Sequence, residues 1–69
     1  VRIQVRVRGG PDEPTIVELE DGATVGAVLA HLGLPAATSV CTVNGAVASR
    51  TQRLRDGDRV EVHPPLAGG

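Results

Sequence analysis

The sequence contains no phenylalanine, tyrosine or tryptophan, no methionine and no lysine, and only one cysteine, Cys41. Each absence excludes something. Without aromatic rings there is no platform for stacking bases, on which sequence-tolerant binding of single strands depends. One cysteine cannot form an intrachain disulfide, which points to a reducing compartment, and a cytoplasmic location is expected. Neither sign of charge dominates: seven arginines stand against eight acidic residues, a formal charge of −1. That balance gives no general pull toward nucleic acid and no polybasic membrane patch. No apolar run approaches the ~20 residues that cross a bilayer, and no signal-peptide pattern is present. The lack of lysine has a bland cause in a compositional bias toward arginine. It also means that a modifier with this sequence is not itself modified through a lysine.

What is present reads as one small domain. A chain of 69 residues supports one modest core and lies near the lower limit for folding without disulfides or metal. Val1, Ile3, Val5 and Val7 alternate with Arg2, Gln4, Arg6 and Arg8. Period two predicts a strand with one buried and one wet face. The turn-rich run Gly9 to Pro14 leads into a second extended segment, Thr15 to Glu20, with Val17 and Leu19 on its inner side. A connection of about six residues fits an antiparallel hairpin. It would bring first-strand arginines near Glu18 and Glu20, in exposed pairs worth about 0–1 kcal/mol each.

Asp21-Gly22 ends that strand, and Thr24 is a fair N-cap. Val25, Val28, Leu29 and Leu32 then recur at helical spacing, with Gly33 and Pro35 closing a helix of about nine residues. So short a helix must lie on the sheet to be stable. Gly26 inside it costs up to ~1 kcal/mol relative to alanine, and a close approach to the sheet is the expected reason. Ser39 to Val43 reads as a third strand, Asn44-Gly45 as a two-residue hairpin turn, and Ala46 to Ala48 as a short return. Ser49 to Gln52 is polar and irregular, with Leu54 a lone core anchor after it. Asp56-Gly57 is a turn, and Arg59 to His63 is a last alternating strand that Pro64-Pro65 terminates. The predicted order is β-β-α-β-β-β, an α+β layer arrangement.

Three segments together resemble a known family: Val43-Asn44-Gly45, then Leu54 to Val62 around Asp56-Gly57-Asp58, then Pro64-Pro65-Leu66-Ala67-Gly68-Gly69. The resemblance is to the MoaD/ThiS group of ubiquitin-like sulfur carriers. It covers the whole chain in element order, and its motifs sit in the last third. It implies a β-grasp fold: a mixed four- to five-stranded sheet, one helix packed across it, and first and last strands parallel in the middle. The domain would span 1–63, and 64–69 would be a flexible C-terminal tail.

The resemblance also implies a function. Gly69 would carry the reacting carbonyl. An E1-like adenylyltransferase would spend ATP to activate it, a sulfurtransferase or cysteine desulfurase would supply sulfur, and a sulfur-acceptor enzyme would receive it. Pro64, Pro65, Leu66, Ala67 and Gly68 would contact the partner. The chain would be a carrier that binds no cofactor, a monomer when free, and not an enzyme by itself. Two alternatives stand beside this one: a protein modifier joined through Gly69 to target lysines, and a non-catalytic β-grasp interaction module. The chemistry fits the residues. A terminal carboxyl with an ordinary pKa of about 3.3–3.7 is an anion and a poor electrophile until activated. Glycines accept dihedrals closed to other residues and let backbone approach closely in a narrow channel.

Other residues carry less. Cys41, among strand residues, reads as a buried, inert thiol. His31 and His63 are far apart in sequence and have no second cysteine, so no metal site is expected. Asp56 and Asp58 read as turn formers, not a catalytic pair. Gly9-Gly10 lacks the spacing and lysine of a phosphate loop. Arg2, Arg6 and Arg8 form a solvated stripe that suits an acidic partner surface. Ile16 falls on the polar side of its strand, as an exposed apolar contact.

Overall fold

The computed structural model describes residues 1–65. Its elements are β1 (Arg2–Val7), β2 (Thr15–Glu18), α1 (Val25–Leu32), β3 (Val40–Val43), β4 (Ala46–Ala48) and β5 (Arg59–His63). The strands form one five-stranded sheet in the order β2-β1-β5-β3-β4. β1 and β5 run parallel, and the other neighbouring pairs are antiparallel. The arrangement is a β-grasp, as the resemblance implied, with β5 at the centre of the sheet.

Alternation decides which side of the sheet is dry. Ile3 and Val5 of β1, Val17 of β2, Cys41 and Val43 of β3, and Val60 and Val62 of β5 are all buried. They form one cluster with Val25, Val28 and Leu29 of α1, and Leu54 joins it from the irregular segment before β5. The helical stripe is therefore as expected, except that Leu32 is only partly buried at its end. The other face of the sheet is open. Register places Gln4 beside Arg59 and Arg6 beside Glu61 on that face.

Helix boundaries follow the caps. Thr24 is extended (φ −106°, ψ 171°) and its hydroxyl accepts from Ala27 N–H. Gly33, at φ 71°, donates to Ala30 O, and Leu34 donates to Leu29 O, which closes the C-terminus. Two further amide donors of the first turn are free in any helix. Here the segment after β4 supplies their acceptors: Val25 N–H donates to Gln52 O at 3.0 Å and Gly26 N–H to Arg50 O at 2.8 Å. The polar stretch that reads as irregular in sequence is thus the helix's N-terminal support, pinned further by Leu54 N–H on Ala23 O at 2.9 Å.

This geometry corrects the expected reason for Gly26. The close approach is not to the sheet. A Cβ at position 26 would lie 3.2 Å from the backbone oxygen of Arg50, the same oxygen that accepts Gly26 N–H. Helix propensity alone would make Gly26→Ala stabilising by up to ~1 kcal/mol. Displacing a hydrogen-bonded carbonyl costs about as much or more. Gly26→Ala is therefore expected to lower stability by about 0.5–1 kcal/mol. Urea unfolding followed by circular dichroism measures it, and a stabilised variant would show that the Arg50 carbonyl moves freely.

The Asn44-Gly45 turn is built as the sequence indicated. Asn44 and Gly45 both have positive φ, 51° and 88°, the pair a type I′ hairpin turn requires. Asn44 does more than turn the chain. Its Oδ1 accepts from Arg59 N–H at 2.9 Å and its Nδ2 donates to Asp58 Oδ1 at 3.0 Å. The other oxygen of Asp58 accepts from Arg55 N–H at 2.8 Å. Asp56 Oδ1 accepts from Arg2 N–H at 2.7 Å. Asp56 and Asp58 are turn formers, as expected, and they also tie the turn before β5 to β1 and to the β3–β4 hairpin.

Some strand ends differ from expectation. β1 lacks Val1 and Arg8, β2 stops at Glu18 instead of Glu20, and β3 begins at Val40 instead of Ser39. Leu19 still donates to Val1 O at 2.8 Å, but β1 has no further residues there to pair. Ser39 N–H is drawn into a turn with Pro35 O. The expected ladder of arginine–glutamate pairs reduces to one exposed contact, Arg2 to Glu18 at 3.9 Å. In this register β1 meets β2 only from Arg2 to Val5, so Arg6 and Arg8 lie past its reach.

Candidate functional site

The candidate site is the exit of the chain from β5. Because β5 is central, it is held on both sides: Val62 lies beside Val7 of β1 and Cys41 of β3, and His63 lies beside Val40. Arg8 N–H donates to Val62 O at 2.9 Å. The exit is thus anchored by both ladders as far as Val62 and by the β3 ladder alone at His63. Pro64 and Pro65 have no N–H to continue them, so the ladder ends at His63. Pro64 is partly buried and Pro65 is exposed. Leu66, Ala67, Gly68 and Gly69, the other expected site residues, lie outside the described residues.

The open face along β5 is mixed in character. His63 Nε2 lies 3.5 Å from Glu61 Oε1. Among the described residues, Val40, Val47 and Ile16 are the exposed large apolar side chains, Val47 at 77 %. Ile16 is on the wet side, as its position in the alternation indicated. Val40 and Val47 are not singled out from sequence: Val40 lies beside His63, and the register of Thr42 with Val47 carries the wet side across the hairpin. Between the apolar positions lies a shallow basin of about 360 Å³ bordered by Gln4, Arg6, Thr42, Asn44, Arg59 and Glu61. Arg6 and Arg59 make no carboxylate contact within 4.0 Å among the described residues.

His31 and His63 are not brought together into a ligand set. Among the described residues no group of three or more His, Cys, Asp or Glu side chains is placed to hold a metal ion. Among them, too, no helix is long and apolar enough to cross a membrane. Cys41 is buried, 2 % exposed, and burial pushes its thiol pKa above the ordinary value. The consequence for stability has a definite sign. Above about pH 8.5 the unfolded thiol releases its proton while the folded one keeps it. This contribution is complete below that pH and is lost as pH rises through the folded pKa. Stability is therefore expected to decline on the alkaline side, and Cys41→Ala should remove that part of the slope while lowering stability overall. Unfolding midpoints measured from pH 7 to pH 10 check this; an unchanged slope in the variant counts against it.

A mixed sheet with the last strand at its centre, parallel to the first, and one helix across one face define the ubiquitin-like class. The family comparison agrees. The family model described as "ThiS family" matches residues 4–69, and the chain belongs to that family of ubiquitin-like sulfur carriers. Among solved structures it is similar to a ubiquitin of Caldiarchaeum subterraneum, at 28 % identity and TM-score 0.70 over 99 % of this chain and 96 % of that one. It is similar to SAMP1 of Haloferax volcanii at 19 % identity and TM-score 0.74, with 100 % of both chains covered. It also resembles a chain of the complex of subunits 1 and 2 of molybdopterin-converting factor from Helicobacter pylori, at 24 % identity and TM-score 0.59, again over 100 % of both. The last two likenesses bear on the fold alone.

Proposed function

We propose that residues 64–69 form an arm through which Gly69 is activated and loaded with sulfur. The observation that carries the proposal is the exit geometry: a terminal segment leaving a central strand that two ladders hold in place, in a member of a carrier family. In the first step a terminal carboxylate oxygen of Gly69 attacks the α-phosphorus of ATP on an adenylyltransferase partner, and pyrophosphate leaves. In the second, a sulfur donor supplied by a sulfurtransferase or cysteine desulfurase attacks the carbonyl carbon and AMP leaves. The delivered sulfur then joins the acyl group to the donor in an acyl disulfide, and a second thiol attacks the donor's own sulfur, forming a disulfide there and releasing the thiocarboxylate. Its soft sulfur passes to an acceptor enzyme's substrate.

The residues suit that task. Six residues from Pro64 to Gly69 extend to about 20 Å. Pro64 and Pro65 stiffen the root and reduce the entropy lost when the arm enters a channel. Leu66 supplies one apolar anchor, and Ala67, Gly68 and Gly69 present little bulk. The chain itself is the carried reactant and not the catalyst.

A second reading, a protein modifier joined through Gly69 to lysines of other proteins, is favoured by the likeness to the Caldiarchaeum ubiquitin. Both use one activated end, and mass spectrometry separates them. After incubation with ATP, the activating partner and a sulfur source, a carrier gains about 16 Da as sulfur replaces oxygen. A modifier leaves a Gly-Gly remnant on foreign lysines. Neither product, in the presence of a partner that hydrolyses ATP to AMP with a related carrier, would overturn both readings.

A further inference from the structure

An activated acyl terminus is a hazard to the protein that carries it. An uncharged amine or a thiolate attacks such a carbonyl readily, whereas hydroxyls are weak nucleophiles without a base and guanidinium stays protonated. No lysine occurs at any of the 69 positions, so no side-chain amine is available. The amine of Val1 is held by the carbonyl of Leu19 and by Asp21 Oδ1. His31 and His63 could accept an acyl group only to return it to water.

The thiol is a sharper case, because the sheet places it near the arm. Cys41 stands in register beside Val62, and Gly69 follows Val62 by seven residues (69 − 62). Seven residues reach up to about 25 Å, enough to return the terminus to β3. Tethered at that distance, an accessible thiolate would attack at a high effective concentration. The core prevents this: Cys41 is 2 % exposed, in the cluster with Val25, Leu29 and Val62.

We infer that the folded chain is closed to its own activated terminus. Composition removes the side-chain amines and the core withholds the one thiol, so the acyl group passes only to a foreign nucleophile. The chain then forms neither rings nor isopeptide-linked polymers of itself. In the excluded reaction, nitrogen or sulfur bonds to the Gly69 carbonyl carbon, the bond to the leaving group breaks, and the nucleophile's proton leaves with that group. The physiological meaning rests on the reading of Gly69 as the activated end, but the chemistry is testable without any partner.

The test uses the 69-residue chain bearing a Gly69 thioester of 2-mercaptoethanesulfonate at mildly alkaline pH, followed by intact mass. The folded wild type is expected to decay only to the hydrolysed acid. Arg8 is exposed and its backbone is bonded to Val62, so Arg8→Lys places an amine beside the root of the arm. That variant is expected to lose thioester at least about tenfold faster, giving a ring one water lighter than the acid, or linked dimers. In denaturing guanidinium the wild type is expected to form the one-water-lighter thiolactone, and Cys41→Ser to form none. A ring or dimer from the folded wild type overturns the inference. So does an Arg8→Lys thioester no less durable than wild type, or a denatured wild type without thiolactone. Failure of ATP-dependent activation sinks the carrier reading and leaves these outcomes as they are.

Discussion

A chain lacking Gly68 and Gly69 is expected to fold as the full chain does and to lose ATP-dependent activation altogether. The two halves of this expectation have different causes. Among the described residues, every ladder of the sheet and every buried core residue lies before the two prolines. Removing terminal residues that add nothing to such a core typically changes stability by no more than about 0.5 kcal/mol. Activation, by contrast, depends on where the carboxylate stands. Two residues of extended chain span about 7 Å, and a reacting group misplaced by even 1 Å can lose about a hundredfold in rate. The truncated terminus therefore stops short of the α-phosphorus, and pyrophosphate exchange should fall to background. Gly69→Ala keeps the length and adds one methyl, so it separates reach from bulk: a partial loss there beside a total loss in the truncation assigns the effect to reach. If the shortened chain still gained sulfur, the terminus would not be the site of the chemistry.

The architecture was largely legible because its signals are local. Period-two alternation in β1 and β5, the helical stripe of α1, the Thr24 and Gly33 caps and the Asn44-Gly45 turn each depend on a few neighbouring residues. Placing β1 beside β5 in parallel was not a local matter and came from resemblance to a family. What escaped the sequence is tertiary in origin. Gly26 is explained by the carbonyl of Arg50, twenty-four residues on (50 − 26), and no pattern around Gly26 announces it. Asn44 reads as a turn residue, yet its side chain also holds Arg59 and Asp58 of another turn. The arginine stripe was correct as a face and too generous as a set of ion pairs, because register, which alternation does not fix, lets β2 meet only Arg2 of the three. For the site, the glycines and prolines of the arm were visible as letters. The apolar positions Val40 and Val47 near its root required the register between β3, β4 and β5.

Composition also sets how this core responds to damage. Its eleven buried hydrophobic residues include seven valines but only two leucines and one isoleucine. Valine is branched at Cβ and stiff at χ1, and no methionine or aromatic ring is present to shift into a gap. Leu29, 1 % exposed, is among the largest of the fully buried side chains. Leu29→Ala is therefore expected to leave a cavity that does not collapse and to cost about 3–4 kcal/mol, within the usual range of about 2–5. A domain of this length has a total stability of only about 3.5–10 kcal/mol, so the variant should be substantially destabilised and, at the lower end, partly unfolded at 25 °C. Leu32→Ala, one turn on and only partly buried, should cost about 1 kcal/mol and serves as the control for helix and length effects. With no tryptophan or tyrosine to report, unfolding must be followed by far-ultraviolet circular dichroism. Alkylation of Cys41 gives an independent readout, since opening of the core exposes the thiol and Leu29→Ala should raise its rate in proportion to the stability lost. A cost near 1 kcal/mol with no gain in alkylation would mean that the valines do close the gap.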